Sequence, residues 1–377
     1  MAFTITLGQL PAGHVLESAK SGEMVPVQYR EFLTSEDGDL LTSRLEGFPS
    51  DLLGLIHPNV IKPSAVDHML ALIRRDKLAT VYLNELEIVA EVKVKRPIAA
   101  GAAVFEEDIA DVFALRFPGI EVPDDVGVVF VFSRGWRRAL YYDFGPLSPL
   151  LQEKRPYDLA TQLGSCWTYL SFQHVLRVTP DEWERLLRAG WFLFIGLPIR
   201  HRRLVLDAIR SGHDPDDLIP AVSADLKARL PTLLESWMAN SLASDHVAFM
   251  QTAAEHYQRG DNVSCSCILY PRIEGVLRSF FRRLDSVRKP TTRRLIECAA
   301  SEHDSGGMSL LIPKFFRRYL QEVCFASFDP ENPKTASRHS VAHGVVRADH
   351  MDLKAATVAF LTIEQLFYLA PKSMPGI

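Results

Sequence analysis

Two hydrophobic rhythms divide the chain. Up to about residue 150, short β-type runs such as Glu87 to Val94 and Gly127 to Phe132 are separated by Gly and Pro, which is how strands and their turns read. One helical pattern lies among them, over Ser64 to Arg75, and a Gly turn after Lys95 leads into a single helical turn at Glu106 to Ala110. Thr179-Pro180-Asp181-Glu182 is a helix start, with Thr as the cap, Pro at the first position and Glu closing a capping box. It opens a helix through Leu187. His213 to Asp217 is a polar break before a helical stretch from about Leu218. From Trp237 onward the period is almost wholly helical. The expected organisation is a mixed α+β domain over 1–150, a helical or mixed connecting region over 151–235, and an all-α bundle over 236–377, with the main boundary near Leu230.

In that last part five helices are expected: Asp245 to Gln258, Val263 to Leu284, Thr291 to Ala300, Met308 to Phe325 and His350 to Leu369. The second carries an apolar stripe of Leu269, Ile273, Val276, Leu277, Phe280, Phe281 and Leu284 with arginines opposite, and the fifth carries a similar stripe through Leu353, Ala356, Phe360, Ile363 and Phe367. Aromatic clusters at Trp136, Tyr141, Tyr142 and Phe144, and at Trp183, Trp191, Phe192 and Phe194, are read as core.

Composition fits this picture. At 377 residues, 47% hydrophobic and 23% charged, the chain is expected to form more than one globular domain. No stretch approaches the roughly 20 apolar residues of a spanning helix, and Met1 to Leu10 lacks a secretory pattern, so no membrane association and a cytoplasmic location are expected. Five scattered cysteines do not form a disulfide framework and are expected to be reduced, mostly buried thiols. The net charge of −4 is uneven: from Arg259 on there are 17 Lys/Arg against 12 Asp/Glu. Arg278, Arg282 and Arg283 belong to the densest basic run and are candidates to meet a polyanion such as RNA, the other reading being a solvated helix face. Phosphate-loop, dinucleotide and Gly-x-Ser-x-Gly signatures are absent.

Chemistry concentrates before the last helix. There a polar loop, Asp329 to Thr335, precedes Ser337-Arg338-His339-Ser340-Val341-Ala342-His343-Gly344. Imidazole titrates near neutral pH, so His343 can take a proton from a ribose 2′-hydroxyl or give one to a leaving 5′-oxygen. A guanidinium at Arg338 can hold the charge that builds on phosphate oxygens. Five residues separate the two by about 140° on a regular helix, so a bent junction or a second copy must bring them together.

The string Arg338-His339-x3-His343, ahead of a long helix closing an all-α bundle, resembles the Arg-polar-x3-His signature of HEPN domains, with His339 where Asn is commoner. Tyr270-Pro271-Arg272-Ile273-Glu274-Gly275-Val276-Leu277-Arg278 resembles a helix of HEPN-like bacterial proteins. The resemblance covers about residues 240 to 370. It implies a metal-independent endoribonuclease without cofactor, with Arg338, His343 and His339 as catalytic group, a homodimer whose two motifs line one cleft, and a toxin or phage-defence role with a protein regulator or antitoxin. It also leaves open a non-catalytic interaction module, in which Arg338 buttresses the bundle through Glu274 and His343 caps a helix end. A rival reading takes His339 and His343, one helical turn apart, as a zinc pair with His350 or Asp349, but the His-Glu-x-x-His pattern is missing.

Overall fold

The computed structural model describes the chain except residues 1, 57–61, 149–153, 241–242, 285–288, 302–307, 328–335 and 370–377, and the side chains at 283, 284 and 301. The fold is α+β, with an amino-terminal sheet and a carboxy-terminal helical region. The chain divides into two compact units, residues 1–93 with 112–173, and residues 94–111 with 174–377.

The first unit is built on strands β1 (Ala2–Thr6), β4 (Arg30–Thr34), β5 (Met69–Ile73), β6 (Leu78–Leu83), β9 (Gly127–Arg134) and β10 (Arg137–Asp143), in the order β1-β6-β5-β9-β10-β4 with every pairing antiparallel. Short strands β2 (His14–Val15) and β3 (Val27–Gln28) pair beside it, and β7 (Val89–Val94) pairs with β8 (Ile109–Arg116). Helices α1 (Asp39–Glu46) and α2 (Phe48–Ile56) supply Leu41, Leu45, Leu52 and Leu53 to one face of the sheet. Helix α3 (Leu159–Leu176) supplies Leu159, Leu163, Cys166 and Leu170 to the other. Gly164 permits this, because a Cβ there would meet the Ala114 backbone at 2.8–3.1 Å.

Burial on both faces corrects the helix expected over Ser64 to Arg75. Residues 63–65 form one 3-10 turn, and Met69–Ile73 is the central strand β5, buried at all five positions. Met69, Ala71 and Ile73 face one core while Leu70 and Leu72 face the other, so the apolar run has no alternation to show.

The second unit is helical: α4 (Pro180–Arg188), α5 (Ile199–Ser211), α6 (Ile219–Met238), α7 (Val247–Arg259), α8 (Asn262–Leu284), α9 (Thr292–Ser301), α10 (Pro313–Tyr319), α11 (Arg338–Ala342) and α12 (Leu353–Leu369). The Thr179 capping box opens α4 as its sequence requires, with Thr179 Oγ1 accepting the Glu182 amide at 3.2 Å. The expected Met308–Phe325 helix starts at Pro313 and ends in a π turn over Leu320–Cys324. α12 is buried at every position except Leu353, Lys354 and Tyr368, so it runs through the middle of this unit rather than along its surface. Its buried polar groups are matched. Glu364 takes two hydrogen bonds from Arg229 at 2.5 and 2.7 Å, and Gln365 accepts the Ile195 N–H and donates to Leu311 O.

This grouping differs from the divisions expected at residue 150 and near Leu230. Leu230 sits inside α6, whose Leu226, Leu230, Leu233 and Trp237 are buried as one stripe. Residues 94–111 join the helical unit through specific bonds: the Glu107 carboxylate receives the Ile199 N–H at the start of α5, Asp111 receives the Leu310 N–H and the Ser309 hydroxyl, and Tyr368 donates to Lys95 O. The aromatic clusters are core as expected, except Trp136, which is 80% exposed. All five cysteines are free; Cys166, Cys265 and Cys324 are buried, and Cys267 is exposed. Among the described residues no helix is long and apolar enough to cross a membrane.

Candidate functional site

The Arg338 motif forms a helix of five residues, and its neighbours in sequence explain both ends. Ser337 caps α11: its hydroxyl accepts the Ser340 N–H at 3.2 Å while Ser340 Oγ accepts the Ser337 N–H at 2.9 Å, a reciprocal box made with serine in place of the usual Glu. At the other end Gly344 has φ +68°, the Val345 N–H reaches Ser340 O and the Gly344 N–H reaches Val341 O, both at 3.1 Å. That bond pair is the Schellman stop, which favours glycine at this position. His343 is therefore the C-cap residue, and it is exposed.

α11 packs on α8, where Glu274 organises the cations. Glu274 is nearly buried. Its Oε1 accepts Arg278 Nε and Nη2 at 2.9 and 2.6 Å, and its Oε2 pairs with Arg338 Nη2. Arg338 Nη1 lies 3.4 Å from His339 Nδ1, and Arg338 Nε is buried without a partner among the described residues. Gly275 lets the cap of the preceding helix α7 come close, since a Cβ there would lie 2.8 Å from His246 Cε1.

His339 stands beside Arg338. Its pKa is lowered by burial first and then by the Arg338 charge; Glu274 opposes this and His343 adds to the lowering. A neutral ring with an open Nδ1 lone pair is what a guanidinium neighbour at 3.4 Å favours. The ring meets Phe325 edge-on at 5.9 Å and lines a cavity of about 450 Å³ with Thr292, Arg293, Ile296, Gln321 and Phe325.

The structure thus brings Arg338, His339, Glu274 and Arg278 into one bonded group, with His343 at the exposed end of the same short helix. It does not set Arg338 and His343 on a continuous long helix. Arg282 is exposed and lies 4.0 Å from Asp245; the side chain of Arg283 and the polar loop 329–335 lie outside the described residues. Arg293, Gln321 and Phe325 beside His339 were not foreseen as site residues. The Arg293–Glu297 pair, 2.9 Å apart at i,i+4, reads in sequence as an ordinary helix surface, and nothing in the sequence relates α9 to α11. Among the described residues no three His, Cys, Asp or Glu side chains gather in a way that could hold a metal, and Asp349 is paired with Arg347 at 3.0 Å. No family model, curated protein or solved structure matches the chain.

Proposed function

We propose that the helical unit is a HEPN-type endoribonuclease that cuts RNA by transesterification without a metal ion. The observation that supports this is the assembly around α11: Glu274 and His339 fix the Arg338 guanidinium, and an exposed histidine stands at the end of the same helix. In this reading the ribose 2′-oxygen attacks phosphorus as its proton passes to one His343. The 5′-oxygen leaves with a proton supplied by the His343 of a second copy, giving a 2′,3′-cyclic phosphate and a 5′-hydroxyl. Arg338 holds the charge on the non-bridging oxygens, and His339 and Glu274 are positioning residues. Two copies are required because one chain supplies a single His343, so the active form is a homodimer through the helical unit. A toxin or phage-defence role, held in check by a protein regulator, and a cytoplasmic site of action follow from this reading.

The test is incubation of the full chain with total RNA in EDTA. His343→Ala should cost 10²- to 10⁴-fold in cleavage with the fold intact, since the side chain is exposed. Intact RNA with wild-type protein that is dimeric by light scattering, in the presence and absence of host lysate, sinks the proposal.

A second reading has its own observation. Glu274 occupies Arg338 as a structural tie would, which suits a non-catalytic interaction module. Under it, His343→Ala leaves every RNA readout at the wild-type level while Glu274→Gln destabilises the bundle.

A further inference from the structure

Arg202 is sealed inside the helical unit without a partner. It lies in the first turns of α5 and is 1% exposed, and its Nε, Nη1 and Nη2 are all shut from solvent with no hydrogen-bond acceptor among the described residues. A guanidinium carries five N–H donors and a permanent charge, so leaving it bare in the interior costs far more than a stray hydroxyl does.

The bonds around the start of α5 say what is missing. Ile199, the first residue of the helix, lies three positions before Arg202, so the two share a side of it, and helical side chains lean toward the N-terminus. There the Glu107 carboxylate takes the Ile199 N–H with both oxygens, at 2.9 and 3.0 Å. An acid from the 94–111 segment thus fills the positive end of α5, yet it makes no hydrogen bond to Arg202. Glu364, against Gly196 just ahead of the α5 cap, already holds Arg229 through both oxygens. Lys95, on the same segment as Glu107, registers the same excess of positive charge: burial first and the Arg202 charge second lower its pKa to about 7.

We infer that the start of α5 is a binding site for inorganic phosphate, which enters as Glu107 moves out and bonds both the Ile199 N–H and Arg202. Two independent features meet there, a helix N-terminus and a sealed guanidinium one turn along the same helix. The ligand needs more oxygens than a carboxylate has, since those of Glu107 are engaged at the Ile199 N–H and leave Arg202 bare. A tetrahedral oxyanion offers one edge to the backbone N–H and another to the guanidinium fork. It must also be small, because the Arg202 nitrogens have no contact with solvent and the room gained is what the Glu107 carboxylate vacates. Phosphate binding here stands whether or not the Arg338 group cleaves RNA.

Calorimetric titration of the full chain with inorganic phosphate tests this. One saturable site is expected. Arg202→Met keeps the apolar stem and removes the charge; it should weaken binding by about 100-fold while leaving the apo melting temperature unchanged or raised. Glu107→Gln should act in the opposite direction, tightening phosphate by about tenfold, because the competing charge leaves the site. That opposite sign separates a displaced occupant from a residue that only shapes the fold. Should Arg202→Met not fold, Glu107→Gln decides alone, and binding no tighter than wild type overturns the inference. It is overturned equally by the absence of saturable binding in both wild type and Glu107→Gln, or by binding that Arg202→Met leaves at the wild-type level. Binding lost in Arg338→Ala and kept in Arg202→Met would place the phosphate at the other arginine and overturn it too.

Discussion

Arg155 with Asp143 in the sheet unit and Arg338 with Glu274 in the helical unit each set an arginine against a buried carboxylate, and the two pairs differ in how completely they are closed. In the sheet unit Arg155 has no exposed side-chain surface. Its Nε bonds Asp143 at 3.0 Å, Nη2 donates to Val126 O at 2.9 Å and Nη1 to Pro123 O at 3.4 Å, while Tyr157 donates its hydroxyl to the same Asp143. In the helical unit Arg338 is 24% exposed, spends one nitrogen on Glu274 and leans another on His339, and has Nε unpartnered. Arg155 is finished as a structural part, whereas Arg338 is oriented, partly exposed and left with a buried Nε that has no partner among the described residues. Between these two pairs it is saturation that differs, since both arginines are held by an acid.

The largest effect should come from breaking the closed pair. Arg155→Ala leaves Asp143 buried without its cation and should cost the sheet unit about 3–5 kcal/mol. Hydrogen exchange at β9 and β10 under increasing urea reads this locally, which matters because a chain with two units need not unfold in one step. A loss below about 1 kcal/mol would erase the contrast drawn between the two pairs.

A smaller effect is expected at the open pair. Glu274→Gln takes the charge from between Arg278 and Arg338, both partly in solvent, and should cost the helical unit about 1–3 kcal/mol. Arg338 then loses its fixed orientation, so under the ribonuclease reading cleavage should fall more than stability does. The sharpening control is Arg278→Ala: it leaves Glu274 to Arg338 alone and should reduce cleavage far less.

How far the sequence carried depends on the same distinction between closed and open surroundings. α8 was legible because Leu269, Ile273, Val276, Leu277 and Phe280 bury one face while arginines take the other, and helical period survives wherever one side meets water. β5 was not, because burial on both faces removes the alternation that marks a strand. The excursion of 94–111 into the helical unit was invisible as well: it is decided by the Glu107 carboxylate on the Ile199 N–H and Asp111 on the Leu310 N–H, partners 92 and 199 residues away. At the site the sequence called for a bent junction around Arg338 and His343, and the short helix that Ser337 caps and Gly344 ends was not read from it. The Glu274 tie was foreseeable as a role for a carboxylate on the basic helix.

The smallest expected effect, and the one that probes the open pair without dismantling it, is the pH response of His339. Its folded pKa lies below the ordinary 6.5, through burial first and the Arg338 charge second, so the unfolded chain binds the proton more readily. Stability linked to this group is therefore fully present above pH 6.5 and is lost as pH falls through the depressed folded value. His339→Gln should flatten that part of the stability–pH profile while keeping a hydrogen-bond acceptor for Arg338 Nη1. If the profile of the variant still declines in the same window, the proton is being taken up elsewhere, and His339 is not the neutral prop of Arg338. If it flattens and Arg338 keeps its orientation, the ring is present to shape the guanidinium. Under the ribonuclease reading, His339→Gln should then leave the shape of the pH profile of RNA cleavage unchanged.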